Sequence, residues 1–164
     1  MRIFILLTVT LALSVGSYAK DINSYKKFYR MYRDADYVTT FKIPAGLARI
    51  FIDRDEKEAK EFMKKMDDIS FFISEQHNNQ MIFDLNKNLP EKDYKEMMIV
   101  KDGEMEVTFM ARDEGDGVIT EIIMAVYDPR ELVVMCMTGE FTSDDARKIA
   151  KSIKTETAIN FRKD

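Results

Sequence analysis

The hydrophobic and polar positions of the chain sort into an apolar leader, a mixed helical and extended middle, and a strongly alternating C-terminal half. Ile22 to Arg33 carries Tyr25, Phe28, Tyr29 and Tyr32 at helical spacing, so it predicts a helix with one aromatic face, expected to dock on a sheet. Tyr37 to Ile43 is β-branched and aromatic and predicts a strand. Pro44 ends it and opens a short helix, Ala45 to Phe51. Asp53 or Asp55 is expected to cap a further helix whose Ala59, Phe62, Met63 and Met66 keep the helical period. Its Lys and Glu residues read as a solvated face. Ile69 to Ser74 predicts another strand, and Asn78 to Leu89 another helix with Met81, Ile82 and Leu85 inward.

From Tyr94 onward four strands follow: Lys95 to Lys101, Glu104 to Ala111, Val118 to Tyr127 and Glu131 to Thr138. Asp102-Gly103 is a two-residue hairpin signal, Asp113 to Gly117 a longer acidic turn, and Asp128-Pro129-Arg130 a proline turn. Such short connections make the strands antiparallel neighbours. Thr142 to Asp145 (TSDD) then caps a last helix with Ala146, Ile149, Ala150 and Ile153 as its buried stripe. The expected fold class is therefore α+β: a largely antiparallel sheet with a C-terminal four-strand meander, and helices packed mainly on one face.

The leader gives an address. Arg2 precedes the uncharged run Ile3 to Val15, and Ser17 and Ala19 supply the small residues of a processing site. The run is shorter than the roughly 17–25 residues a membrane span needs. Residues 1–19 are thus expected to be a signal peptide, and residues 20–164 a single domain. Lys20, not Cys, follows the predicted cut, so no thiol is there to take a lipid. The expectation is an exported protein, periplasmic or extracellular, with no stable membrane anchor after cleavage.

The turns suggest a register and hence two sheet faces. With Asp102-Gly103 and Pro129-Arg130 as loops, Met98 opposes Val107, Met124 opposes Met135 and Ile123 opposes Cys136. One face collects Met98, Val100, Val107, Phe109, Ile123, Ala125, Val134 and Cys136 and is expected to be core. The other mixes Glu106, Thr108, Thr120 and Ile122 with five methionines. Its Met110, Met124, Met135 and Met137 are the candidate interaction face, because methionine adapts to varied partners. The bland alternative is that a helix covers it.

Composition narrows the chemistry. The 164 residues are 46% hydrophobic and 33% charged, with a net charge of −4, which argues against disorder and against nucleic-acid binding. One Cys forbids an internal disulfide, and one His forbids a multi-histidine metal site. His77 lies in a polar stretch with no nucleophile motif around it, and Cys136 sits inside a strand, so neither reads as catalytic. Asp113, Glu114 and Asp116 lack the spacing of a calcium loop. The methionines are soft enough for copper(I), but their setting is not otherwise soft. No phosphate-binding glycine loop is present. No catalytic residue, metal or cofactor is assigned.

The order of these pieces resembles the small exported proteins of Bacteroidetes catalogued as domain of unknown function 4252. The likeness runs through YVTTFKIPAGLARIF (Tyr37 to Phe51), the ISFFISE strand, YKEMMIVKDGEMEVTFMARDEG (Tyr94 to Gly115) and ITEIIMAVYDPRELVVMCMTGEFTSDDARKIAKSI (Ile119 to Ile153). It implies an envelope-associated protein and supplies no catalytic residues. Some relatives carry a lipid-attachment Cys where Lys20 stands here. The expectation is a non-enzymatic binding or structural envelope protein whose partner is another protein or a small apolar ligand. The alternative is an envelope hydrolase that uses scattered carboxylates.

Overall fold

The structure, a computed structural model, describes residues 24–48, 57–77 and 79–160. The leader, the cut after Ala19 and the Asp53 or Asp55 cap lie outside the described residues. The chain forms α1 (Tyr25–Tyr32), β1 (Val38–Pro44), α2 (Ala45–Ala48), α3 (Lys57–Lys65), β2 (Met66–Ser74) and α4 (Asn79–Asn88). The meander follows as β3 (Tyr94–Asp102), β4 (Met105–Asp113), β5 (Val118–Tyr127) and β6 (Leu132–Thr142), and α5 (Ser143–Asn160) comes last. The fold is α+β, with one six-stranded antiparallel sheet in the order β1-β2-β6-β5-β4-β3. After β2 the chain crosses one sheet face through α4 and re-enters at the far edge as β3. No helix among the described residues is long and apolar enough to cross a membrane.

Helices occupy both faces of the sheet, not mainly one. On the first face, α1 and α4 bury Tyr25, Phe28, Met81 and Leu85 against Phe72, Ile123, Ala125 and Val134. Phe28 is fully buried, its ring centroid 5.0 Å from that of Phe72. The aromatic stripe of α1 is thus a docked face. Tyr32 donates to Asp84 Oδ2 at 2.6 Å and ties α1 to α4. On the second face, α2, α3 and α5 bury Ala45, Met63 and Ala146 against Ala111, Ile122, Met137 and Phe141. A sheet with apolar residues on both sides needs cover on both, and five helical segments supply it.

The expected sheet faces need one correction, and its cause is local. Within β5–β6 the pairs Ile123 with Cys136 and Met124 with Met135 form as the turn predicts. The β3–β4 turn is Gly103-Glu104, one residue later than expected, with Gly103 at φ 58°. That shift gives Val107 the partner Val100 in place of the expected Met98, a move of two residues that leaves their faces unchanged. Between β4 and β5, however, the register steps from Asp113–Ile119 to Arg112–Glu121. Thr120 is the extra residue of a β-bulge, and one extra residue turns every later side chain to the opposite face. Phe109 therefore pairs with Met124 rather than Ile123, and Met110 pairs with Ile123.

At the α3–β2 and β6–α5 junctions the chain turns with almost no loop. Thr142 caps α5: Asp145 N–H donates to Thr142 Oγ1 at 3.2 Å, and Asp145 Oδ2 accepts from Thr142 N–H at 2.8 Å. Lys65 Nζ, at the end of α3, reaches the same Asp145 oxygen at 2.7 Å. Gly139 pairs with Met66, and the Lys65 backbone presses on it. A Cβ at Gly139 would overlap the Lys65 carbonyl oxygen and lie 2.8 Å from a Phe141 ring carbon. Only glycine fits between that carbonyl and the sheet.

Two outcomes follow from these junctions. Gly139→Ala is expected to cost about 1–3 kcal/mol, read as a lower urea midpoint at unchanged slope, because a backbone atom cannot step aside as a flexible side chain does. Asp145 is partly desolvated, which pushes its carboxyl up, but Lys65 and Thr142 outweigh this and hold it below its ordinary value. Its ionised form therefore favours folding above the ordinary value, and that contribution fades as the pH drops through the folded one. Asp145→Asn is expected to cost about 1 kcal/mol near neutral pH, with the gap from wild type closing in strong acid. Urea melts across a pH series check it.

Candidate functional site

On the first sheet face α1 and α4 lie over β2, β6 and β5, and the β3–β4 side remains open. A part-buried polar chain stands where covered and open parts meet. Tyr94, almost fully buried at the start of β3, donates its hydroxyl to Glu121 Oε2 at 2.6 Å. The same hydroxyl accepts the Tyr25 N–H, the first of α1, at 3.2 Å. Glu121 Oε1 accepts from Arg112 at 3.3 Å, and the Arg112 guanidinium lies over the Tyr94 ring. Burial and the Glu121 carboxylate both push the Tyr94 phenol up, so it stays a protonated donor. Tyr94 pairs across the strands with Arg112, and Arg112 with Glu121, so the three side chains stand on the same side of the sheet.

Beside this chain runs an open groove of about 880 Å³ between α4 and the β3–β4 surface. Ile99, Met110 and Tyr127 lie on the sheet side of it, and Ile82 and Leu89 on the α4 side. Ile99 is 41% exposed, unusual for an isoleucine on a sheet face. Glu91, Glu96, Glu104 and Glu106 also border it, against Lys95. Glu106 is paired with Lys101 at 2.8 Å, and Lys95 with Asp113 at 3.2 Å. The groove is therefore an apolar strip with an acidic margin.

The residues singled out from the sequence are dispersed. Met110 lines the groove. Met124, Met135 and Met137 face the other way, because of the Thr120 bulge, so the four do not form one face. Met137 is buried with Met63 and Ala146, and Met124 packs beside Ala150. Cys136 is a free, buried thiol, pushed well up by burial. His77 follows β2, and its Nδ1 is buried without a hydrogen-bond partner. In the acidic turn, Asp113 Oδ1 accepts from Gly115 N–H at 2.8 Å and Asp116 Oδ1 from Val118 N–H at 3.0 Å, so these carboxylates brace the hairpin. Among the described residues no group of three or more His, Cys, Asp or Glu could hold a metal ion. Sequence reasoning missed Tyr94, Arg112 and Glu121. Their only signal was a charge or a phenol within a strand, which Lys95, Glu96 and Glu106 share.

These features define a small α+β sheet domain with an open groove on one face. The sequence profile of the family described as domain of unknown function (DUF4252) matches residues 29–149. The chain belongs to that family. No curated protein and no solved structure matches it.

The Tyr94 hydroxyl joins α1 to the sheet, so Tyr94→Phe is expected to destabilise the fold by about 1.5–3 kcal/mol, the range for a hydrogen bond to a charged group. Tyr127→Phe removes only an exposed 3.3 Å bond to Asn86 and is expected to cost under about 1 kcal/mol. Denaturant melts of the two variants separate the roles.

Proposed function

We propose that this is an exported, non-enzymatic binding protein of the cell envelope or exterior, and that its groove takes a cationic, partly apolar segment of a partner protein. The observation that carries the reading is the exposed apolar strip with glutamates along its margin. Apolar surface left open beside an otherwise covered sheet marks an interaction site. An acidic margin steers a basic partner and disfavours an acidic one. The leader pattern of residues 1–19 supports export, and Lys20 in place of a lipid-attachment Cys supports release.

The hydrolase alternative draws no support from the carboxylates. A general acid needs its carboxyl pushed up among apolar walls. Asp84 is instead held down by Tyr32 and Gln80, Asp113 by the Gly115 N–H and Lys95, and Asp128 by Arg130. Each is engaged in holding a turn or a helix pair.

Two measurements test the proposal. Mass spectrometry of the protein recovered outside the cytoplasm is expected to find Lys20 as the first residue, and an intact leader or cytoplasmic retention overturns export. A photo-crosslinking side chain at Ile99 is expected to give one reproducible adduct in the native envelope, and none at Arg147 on α5. Glu96→Lys combined with Glu104→Lys is expected to abolish it. Equal labelling at both positions, or no adduct, overturns the groove as the binding site.

A further inference from the structure

A second concavity, of about 360 Å³, lies beneath α1 on the same sheet face. It is distinct in chemistry from the groove. Lys26, Arg30 and Arg33 line it from successive turns of α1, and Lys42 from β1. Asp68 and Glu121 also line it, but both are occupied. Asp68 pairs with Lys42 at 2.8 Å, and Glu121 holds Tyr94 and Arg112. Arg33 has only the exposed Asp34 beside it, at 3.4 Å. Lys26 and Arg30 have no ion pair among the described residues. The rim therefore carries uncompensated positive charge on a protein whose net charge is −4.

The interior makes a second, independent demand. Tyr25 is 4% exposed, and its hydroxyl is buried without a hydrogen-bond partner. The side chains that act on that hydroxyl are Ser70, Cys136, Tyr29 and Glu121, and all four line this pocket. Ser70 is the hydrogen-bonding neighbour among them, with its own proton given to the Cys136 carbonyl at a long 3.5 Å, but no bond of normal geometry closes the Tyr25 hydroxyl among the described residues. A buried phenol with an open donor is costly unless something supplies an acceptor. The lining thus offers a donor at Tyr25, spare acceptor lone pairs at Asp68 and Glu121, and the faces of two tyrosine rings. Hydroxyl groups, which donate and accept at once, suit such a mixture. The volume is at the small end of ligand sites, roughly 300–1,000 Å³.

We infer that the pocket beneath α1 binds a small hydroxylated organic anion, such as a sugar acid or sugar phosphate, with its charged group on Lys26 and Arg30 and a hydroxyl oxygen accepting from Tyr25. The carboxylate and phosphate forms share this chemistry, because a guanidinium grips either with paired hydrogen bonds. The site stands apart from the acidic groove, which would repel the same ligand.

Calorimetric titration of the protein purified after expression of the full chain tests it, at low salt, with glucuronate, glucose 6-phosphate, inorganic phosphate and glucose as probes. At least one of the two sugar anions is expected to bind ten or more times tighter than glucose and than phosphate. Arg30→Ala is expected to weaken it about tenfold, the loss of one charged hydrogen bond. Arg30 is exposed, so the fold tolerates the change. Tyr25→Phe is expected to weaken binding several-fold while leaving the unfolding midpoint unchanged or higher, since it removes an unpaired buried hydroxyl. Phosphate binding as tightly as the sugar anions would mean an adventitious ion only. That result, glucose binding equally well, no binding at millimolar concentrations, or an unchanged affinity in Tyr25→Phe would each overturn the inference.

Discussion

The unpaired residue Thr120 decides which side chains of the meander meet which helices. Before it, Asp113 pairs with Ile119, and after it Arg112 pairs with Glu121. Had the pairing run on without the extra residue, Val107 and Phe109 would share a face with Ala125 and Ile123. Glu121 would then stand on the α5 side of the sheet, away from Tyr94 and Arg112. The bulge instead sends Ile122 and Met124 toward α5 and leaves Ile123 and Ala125 for α1 and α4. It also sets Glu121 beside Tyr94 and Arg112. An inserted residue is a cheap local irregularity in the ladder, yet here it determines both cores and the placement of a half-buried charge.

That half-buried charge in turn positions α1. The first N–H of a helix has no partner within the helix, and in α1 it is satisfied by the Tyr94 hydroxyl from across the sheet. Tyr94 can accept it because its own proton goes to Glu121, and Glu121 is tolerable there because Arg112 neutralises it. Leaving any one member without its neighbour would strand a polar group among Phe28, Ile123 and Ala125. The chain is therefore cooperative, and the aromatic stripe of α1 docks at a defined depth and angle rather than sliding on a greasy surface.

Much of this was legible in the amino-acid sequence, and the failures have identifiable causes. The helical period of Tyr25, Phe28, Tyr29 and Tyr32, the Pro129 turn and the TSDD cap each encode local geometry, and local geometry is what periodicity reports. The methionine face was misassembled because Met110 and Met124 are related through an acidic loop and a bulge. No alternation rule counts an unpaired residue. The groove was invisible for a different reason: it exists only because α4 stops short of covering β3 and β4. Tyr94, Arg112 and Glu121 lie far apart along the strands and share no spacing, so only the pairing register reveals them as one unit.

The two concavities on this sheet face have opposite chemistry and a common wall. Tyr94 lines the groove, Glu121 lines the pocket beneath α1, and the 2.6 Å hydrogen bond between them is the partition. Arg112 neutralises the one carboxylate in that wall, so neither side's field is carried across by it. Fields of opposite sign a short distance apart are screened over about 10 Å in ordinary salt. Each site can thus keep its own sign, with the glutamates at the β3–β4 end and the α1 cations at the other. A face of an antiparallel sheet is commonly either packed as core or left to solvent. This one is divided by a neutralised partition into a packed centre and two open ends, and that division lets a fold of this size present two chemically distinct surfaces.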